Sequence, residues 1–286
     1  MEIGTGLPTT IPNVEAQQVF GWARSADRHG FSSLGTIDRT VYGNLEPLVA
    51  LAAVAGVTER VRLVTSIALA PLHGPAALLA KQAASIDHLS GGRLVLGLSV
   101  GGREDDFQAA GVSFKDRGRR FDEMLDEMHK IWAGEARGYA GAIGPTPPKG
   151  RVSVVIGGTV DKAFERAATW GEGWIAGGGG PDMFRQGAEK ARAAWAARGR
   201  EGEPRLMGLA YWALGPDARE HADRYLHDYY GFTGPWADRI ADSALTDEGS
   251  IREAVAKFEE AGCDELLMFP CNPDPKQVDL LAGVLL

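Results

Sequence analysis

Val152-Ser-Val-Val-Ile-Gly-Gly-Thr159, followed at once by Val160-Asp-Lys-Ala-Phe-Glu-Arg-Ala-Ala168, is the stretch on which the reading of this chain turns. The run up to Ile156 is short, apolar and β-branched, as a buried strand is. Gly157 and Gly158 end it. Neither carries a Cβ, so a ligand can come close to the backbone there. Thr159 has an N-cap side chain, and a helix-period pattern starts behind it. The free N–H groups of such a helix start, at the positive end of its dipole, form a site for an anion, most simply a phosphate.

Outward from this junction the same unit repeats. Strands are predicted at Glu2–Gly6, Phe31–Ile37, Val61–Leu69, Leu94–Ser99, Val152–Ile156, Gly173–Ala176, Arg205–Leu214 and Asp264–Phe269. Between them the helical spacing predicts Val14–His29, Leu45–Ala55, Pro75–Leu89, Asp116–Trp132, Val160–Trp170, Pro181–Arg198, Ala218–Tyr230 and Ile251–Ala261, with Pro275–Val284 closing the chain. Gly30 stands where a helix ends in the left-handed conformation, and Pro75 suits a first helical turn. Gly134–Gly150 is rich in Gly and Pro and reads as an irregular excursion.

Parallel neighbours need a crossover helix, so eight alternating strands and helices imply an α/β parallel sheet. A (β/α)8 TIM barrel closes that count; an open doubly wound sheet is the alternative. The 286 residues suit one barrel domain over 1–286.

Net charge is −8, which argues against general affinity for nucleic acid or an anionic membrane. Cys263 and Cys271 form no metal-binding or redox motif. The beginning of the chain lacks the basic and apolar segments of a signal peptide, and no run reaches membrane-spanning length. A soluble cytoplasmic protein is the expectation.

A barrel places its active site at the carboxyl ends of its strands. Those ends read Thr5-Gly6-Leu7, Asp38-Arg39, Ser66-Ile67-Ala68, Val100-Gly101-Gly102-Arg103, Gly157-Gly158-Thr159, Gly177–Gly180, Tyr211-Trp212 and Pro270-Cys271. They contain no metal-ligand cluster, no nucleophile elbow and no Schiff-base lysine. Poor side-chain chemistry beside good phosphate features points to a bound cofactor that carries the reaction. Asp38 reads equally as a helix cap or a site carboxylate, and Arg39 as a loop arginine or a ligand contact. His73, just past strand three, suits substrate contact or proton transfer. Cys271 reads as pocket wall. Tyr225, Tyr229, Tyr230 and Phe232 read partly as core and partly as a lid or an apolar pocket.

Several ordered segments carry a family resemblance. They are Ala26–Leu34 leading to Asp38, Glu46-Pro-Leu, Thr58–Ser66, Leu79–Ala84, Leu89–Gly97, Gly101–Phe107, Gly157-Gly158 and Gly171-Glu-Gly-Trp174. In this order the chain resembles the bacterial luciferase-like monooxygenase superfamily, (β/α)8 barrels that use reduced FMN or the deazaflavin F420. The resemblance implies cofactor-binding residues Ser66, Ile67, Ala68, Val100, Gly101, Gly157, Gly158, Thr159, Asp161 and Gly178. It implies a non-prolyl cis peptide at Ser66–Ile67. Val100 stands where bacterial luciferase has an arginine, with Arg103 close by. Arg39 replaces a histidine frequent after strand two, and Gly102 stands where sugar-phosphate dehydrogenase members have a glutamate.

The resulting expectation is a flavin-dependent monooxygenase using reduced FMN and O2 on an apolar organic small-molecule substrate, with Asp38, Arg39 and His73 as its catalytic candidates. The alternatives are F420-dependent hydride transfer and a non-catalytic flavin-binding relative. A separate flavin reductase and a homodimeric state are the expected partners, with no metal.

Overall fold

The computed structural model describes residues 1–286. Nine strands form one parallel sheet: β1 (Glu2–Gly6), β2 (Ser33–Thr36), β3 (Arg62–Thr65), β4 (Ala68–Leu69), β5 (Leu94–Ser99), β6 (Ser153–Gly157), β7 (Gly173–Ile175), β8 (Arg205–Trp212) and β9 (Glu265–Pro270). β1 pairs with β2 and with β9, and β3 pairs with β5, so the sheet closes on itself. β3 and β4 are two halves of one barrel strand, each paired to β5. The predicted strand Val61–Leu69 is therefore interrupted at Ser66–Ile67, whose peptide is cis, as the resemblance implies. The closed ring is an eight-position (β/α)8 barrel, and the open doubly wound alternative is set aside by the β1–β9 and β3–β5 pairings together.

The helices follow in order: α1 (Ala16–His29), α2 (Pro47–Ala55), α3 (Ala76–Leu89), α4 (Glu104–Ala109), α5 (Arg117–Trp132), α6 (Asp161–Trp170), α7 (Gly180–Ala197), α8 (Ala218–Tyr230), α9 (Trp236–Asp242), α10 (Glu248–Glu260) and α11 (Lys276–Leu285). α4 and α9 have no counterpart in the sequence reading. Both are under eight residues, too short for helical periodicity to show.

Strand alternation divides the core in two. Leu63, Leu94, Leu96, Val154, Ile156, Trp174, Leu206 and Leu266 face outward under the helices. Val64, Val95, Val155, Ile175, Met207, Leu267 and Phe269 fill the barrel. The Phe269 ring fits because β1 and β2 present Gly6 and Gly35; a Cβ would stand 2.2 Å and 2.9 Å from it. At the amino-terminal ends of the strands, fully buried Glu265 accepts bonds from the Ser32 and Ser33 hydroxyls and pairs with Arg62 at 3.1 Å and Arg205 at 2.6 Å. Burial alone would raise its pKa, but the two arginines and two serines outweigh it and hold the carboxyl below its ordinary value.

Candidate active site

The glycine junction that opens the sequence reading sits at the carboxyl end of β6. Gly157 lies against Ile67, so closely that a Cβ would come within 1.9 Å of its Cδ1. Gly158 has a φ of +131°, a conformation suited to glycine, and its carbonyl accepts a 2.8 Å bond from the Trp174 indole. That bond ties the ends of β6 and β7 together. Thr159 does not cap the helix. Val160, in extended backbone, holds the N-cap position and makes no side-chain cap bond, while α6 begins at Asp161. Thr159 instead lines a small cavity with Gly177, Gly178, Gln186 and Lys190, walled by Phe164, Trp174 and Phe184.

α6 and α7 both start beside this cavity. The Lys190 ammonium stands 3.2 Å from the exposed Asp161 carboxylate. Gly178 has no neighbour within 4 Å of where a Cβ would be, so its backbone is open to a ligand. Free helix N–H groups, the open backbone of Gly178 and a lysine that shares its charge with Asp161 are elements from which an anion site can be built. The structure thus brings Gly157, Gly158, Thr159, Asp161 and Gly178 together.

Val100 and Gly101 close β5 next to it. Arg103, near in sequence, does not replace the arginine missing at Val100. Its Nε pairs with fully buried Asp106 at 2.7 Å and its Nη2 donates to the Asp38 carbonyl at 3.1 Å. Arg117 reaches this segment instead, donating to the Gly101 carbonyl at 3.1 Å while its guanidinium lies 3.7 Å from the Phe114 ring centre. The sequence reading missed it because it lies in a run of charge that opens α5.

Asp38, Arg39 and His73 converge across the barrel mouth. The buried Asp38 Oδ2 accepts from the Leu69 N–H at 2.8 Å and lies 2.7 Å from His73 Nε2. The other ring nitrogen, Nδ1, stands 3.5 Å from the Glu46 carboxylate. Burial opposes the imidazolium, but the Asp38 bond and the Asp38 and Glu46 charges win and raise the pKa of His73 above its ordinary value. The imidazole is thus set between two carboxylates, an arrangement that favours its protonated form.

Aromatic side chains cover the mouth. Tyr225 and Thr10 share a 2.5 Å bond, and Tyr211 and Tyr230 one of 2.7 Å. Arg39 donates from Nη1 to the Tyr229 carbonyl at 2.6 Å. The hydroxyls of Thr9, Ser66 and Tyr229 are buried without a partner; that of Thr36 is too, but on the helix-facing side of β2, since Gly35 faces Phe269 inside the barrel. Unpaired buried polar groups are rare in folded chains, and those of Thr9, Ser66 and Tyr229 lie in the segments that follow β1 and β3 and on α8. They are the atoms a polar ligand in the mouth would satisfy. Cys271 is buried and its thiol is pushed up by that burial, which suits a wall residue and not a nucleophile. No group of three or more His, Cys, Asp and Glu side chains is arranged to hold a metal ion, and no helix is long and apolar enough to cross a membrane.

Comparison with known proteins adds to this geometry. The family profile described as luciferase-like monooxygenase matches residues 1–269. An uncharacterized protein of Mycobacterium tuberculosis (strain ATCC 25618 / H37Rv) is 33% identical over 174 residues, 58% of this chain and 61% of that relative. The match thus spans about three fifths of the relative's length. An F420-dependent secondary alcohol dehydrogenase, solved with an F420–acetone adduct, superposes with a TM-score of 0.82 at 16% identity, over 99% of this chain and 98% of the other. The oxygenating constituent of 3,6-diketocamphane monooxygenase from Pseudomonas putida, solved with FMN, gives 0.76 at 17% identity, over 99% and 96%. At those identities the two structures speak for the fold alone.

Proposed function

The chain belongs to the luciferase-like monooxygenase family, and from that membership we propose that it is an oxidoreductase whose reaction is carried by a flavin-type cofactor. The reading in first place is a monooxygenase using reduced FMN and O2 on an organic substrate with an apolar body. The observation that carries it is the cavity where α6 and α7 start, Gly178 lies open and Lys190 stands. The unpaired hydroxyl of Ser66 at the mouth supplies a second point of fit, since a flavin ring system is rich in hydrogen-bonding atoms.

Gly157, Gly158, Gly178 and the first N–H groups of α6 would hold the phosphate. Ser66, Ile67 and Ala68 on one side, and Val100 and Gly101 on the next strand, would bound the ring system. Reduced FMN supplies the electrons that activate dioxygen, and F420 supplies or accepts hydride. The chain's own residues bind, exclude water and manage the proton. The tyrosines of α8 and β8 keep the mouth dry. His73, fixed by Asp38 and Glu46, holds the proton that a reacting oxygen needs.

The second reading, hydride transfer with F420, is favoured by that same buried pair, because moving hydride to or from a carbon–oxygen bond requires a matched proton transfer. Parallel titrations with reduced FMN and F420, together with oxygen uptake, separate the two. For the monooxygenase reading a separate reductase supplies reduced flavin. A homodimer is also proposed, resting on α2. This helix contains only apolar residues, yet leaves Val49 67% exposed, and on α3 the neighbouring Leu78 is 50% exposed.

A further inference from the structure

We infer that the site recognises its substrate through an anionic oxygen on a flat apolar body, and that Arg39 is the residue that binds it; this deepens the reading above and rests on it. Arg39 follows β2. Its guanidinium carbon lies 4.8 Å from the Tyr42 ring centre, 5.3 Å from Tyr229 and 4.8 Å from Phe232. Nη1 is spent on the Tyr229 carbonyl, Nε is buried without a partner, and Nη2 makes no bond.

No carboxylate pairs with this cation. Its sequence neighbour Asp38 turns its carboxylate to His73 and the Leu69 N–H instead. Arg103 makes the contrast clear, since it also flanks Phe232, at 5.6 Å, but is neutralised by Asp106 at 2.7 Å. Two cations therefore border one ring and only one has its counter-charge. A half-buried charge left so is unfavourable, and the faces of aromatic rings compensate it only in part.

A cavity of about 270 Å³ opens at this point, lined by Arg39 together with Tyr42, Asn44, His73 and the carboxylates of Asp38 and Glu46, both of which face His73. The free edge of the guanidinium is a planar donor that suits a carboxylate, enolate or phenolate oxygen. The aromatic collar suits a flat body attached to it. The cofactor phosphate is not the missing anion, because its cavity is built at the ends of β6 and β7, on other strands of the ring. Placed beside His73, the bound oxygen lies next to the group that holds the proton.

The test uses naphthoate and its neutral amide as probes, titrated into the purified protein by calorimetry, with and without FMN. The wild type is expected to bind naphthoate about tenfold or more tightly than the amide at low salt. Arg39→Gln is expected to bring the two within about twofold, and Arg39→Lys to keep part of the preference. A role for Arg39 as a mere clamp on α8 would move the melting temperature and leave the preference intact. Equal binding of the two probes by the wild type, or an unchanged preference in folded Arg39→Gln, would overturn the inference. If Arg39→Gln does not fold, the wild type still decides. Raising NaCl from about 0.05 M to about 0.5 M must weaken naphthoate and spare the amide, and an equal response refutes anion recognition. Failure of both FMN and F420 to bind would contradict the cofactor reading, while the probe preference measured without cofactor still decides this one.

Discussion

Placing one negative charge at Gly178 tests the phosphate cavity directly. Gly178 lies outside the left-handed φ region and has nothing within 4 Å of a would-be Cβ, so Gly178→Asp adds a carboxylate without left-handed strain or clash. Gly158 is less suitable. Its φ of +131° and the 2.8 Å approach to Ala163 would mix backbone strain with charge. A carboxylate on Gly178 is taken at about 5 Å from an anion on the neighbouring N–H groups, roughly one side chain's reach. At an effective dielectric constant of about 20, two unit charges at that distance repel by about 3 kcal/mol. That corresponds to roughly a hundredfold loss of FMN affinity at low salt. Fluorescence titration of FMN reads it, with Gly178→Ala as the steric control, expected within about twofold of wild type. Riboflavin, which lacks the phosphate, should bind wild type and Gly178→Asp alike. An FMN loss under about threefold, or an equal loss for riboflavin, would show that the phosphate lies elsewhere.

Three further outcomes follow from the geometry. Asp38→Asn removes the charge that offsets the burial of His73, so the imidazole pKa read by NMR should fall; a value unchanged from wild type contradicts the pairing. Because the folded-state value lies above 6.5, the stabilisation from this pair is complete below about pH 6.5 and fades as pH rises through the folded-state value. Glu265→Gln leaves Arg62 and Arg205 sharing only the half-exposed Glu2, and should cost about 2–4 kcal/mol in denaturant unfolding at neutral pH. The depressed carboxyl makes that contribution present above the ordinary carboxylate pKa and lost as pH falls through the folded-state value, so the gap between variant and wild type should close in acid. Val49→Glu on α2 should shift sedimentation from dimer to monomer, and a monomeric wild type would set the dimer proposal aside.

Much of the barrel was legible because strands and helices alternate with distinct periods. Leu94–Ser99 and Ala218–Tyr230 have the bounds read from sequence. The site was legible in parts. The glycines at 157, 158 and 178 are read directly from the sequence, but Ile67 and Ala163 fill the space beside the first two and only Gly178 is open; Thr159 misled because its side chain suits a cap that the backbone begins one residue later. Pairings across long separations left no local trace. Asp38 and His73 were both named, but a contact across 35 residues depends on closure of the barrel. The collar on Arg39 joins residues 190 apart in sequence. Arg103 stands close to Val100 in sequence, but its partner, Asp106, sits on a helix too short to read. Glu265 lay in an apolar strand, where a lone carboxylate could have signalled a buried ion-pair network with the arginines that begin β3 and β8.

The central claim is that this barrel binds a flavin-type cofactor by its phosphate and carries out redox chemistry with it. The most direct measurement is an anaerobic titration with reduced FMN and F420 in parallel, followed by admission of oxygen. Saturable binding of reduced FMN that Gly178→Asp weakens, and oxygen consumption on mixing with substrate, are the expected results. Tighter binding of F420 without oxygen uptake would replace the monooxygenase reading with hydride transfer. Binding of neither cofactor would contradict the account.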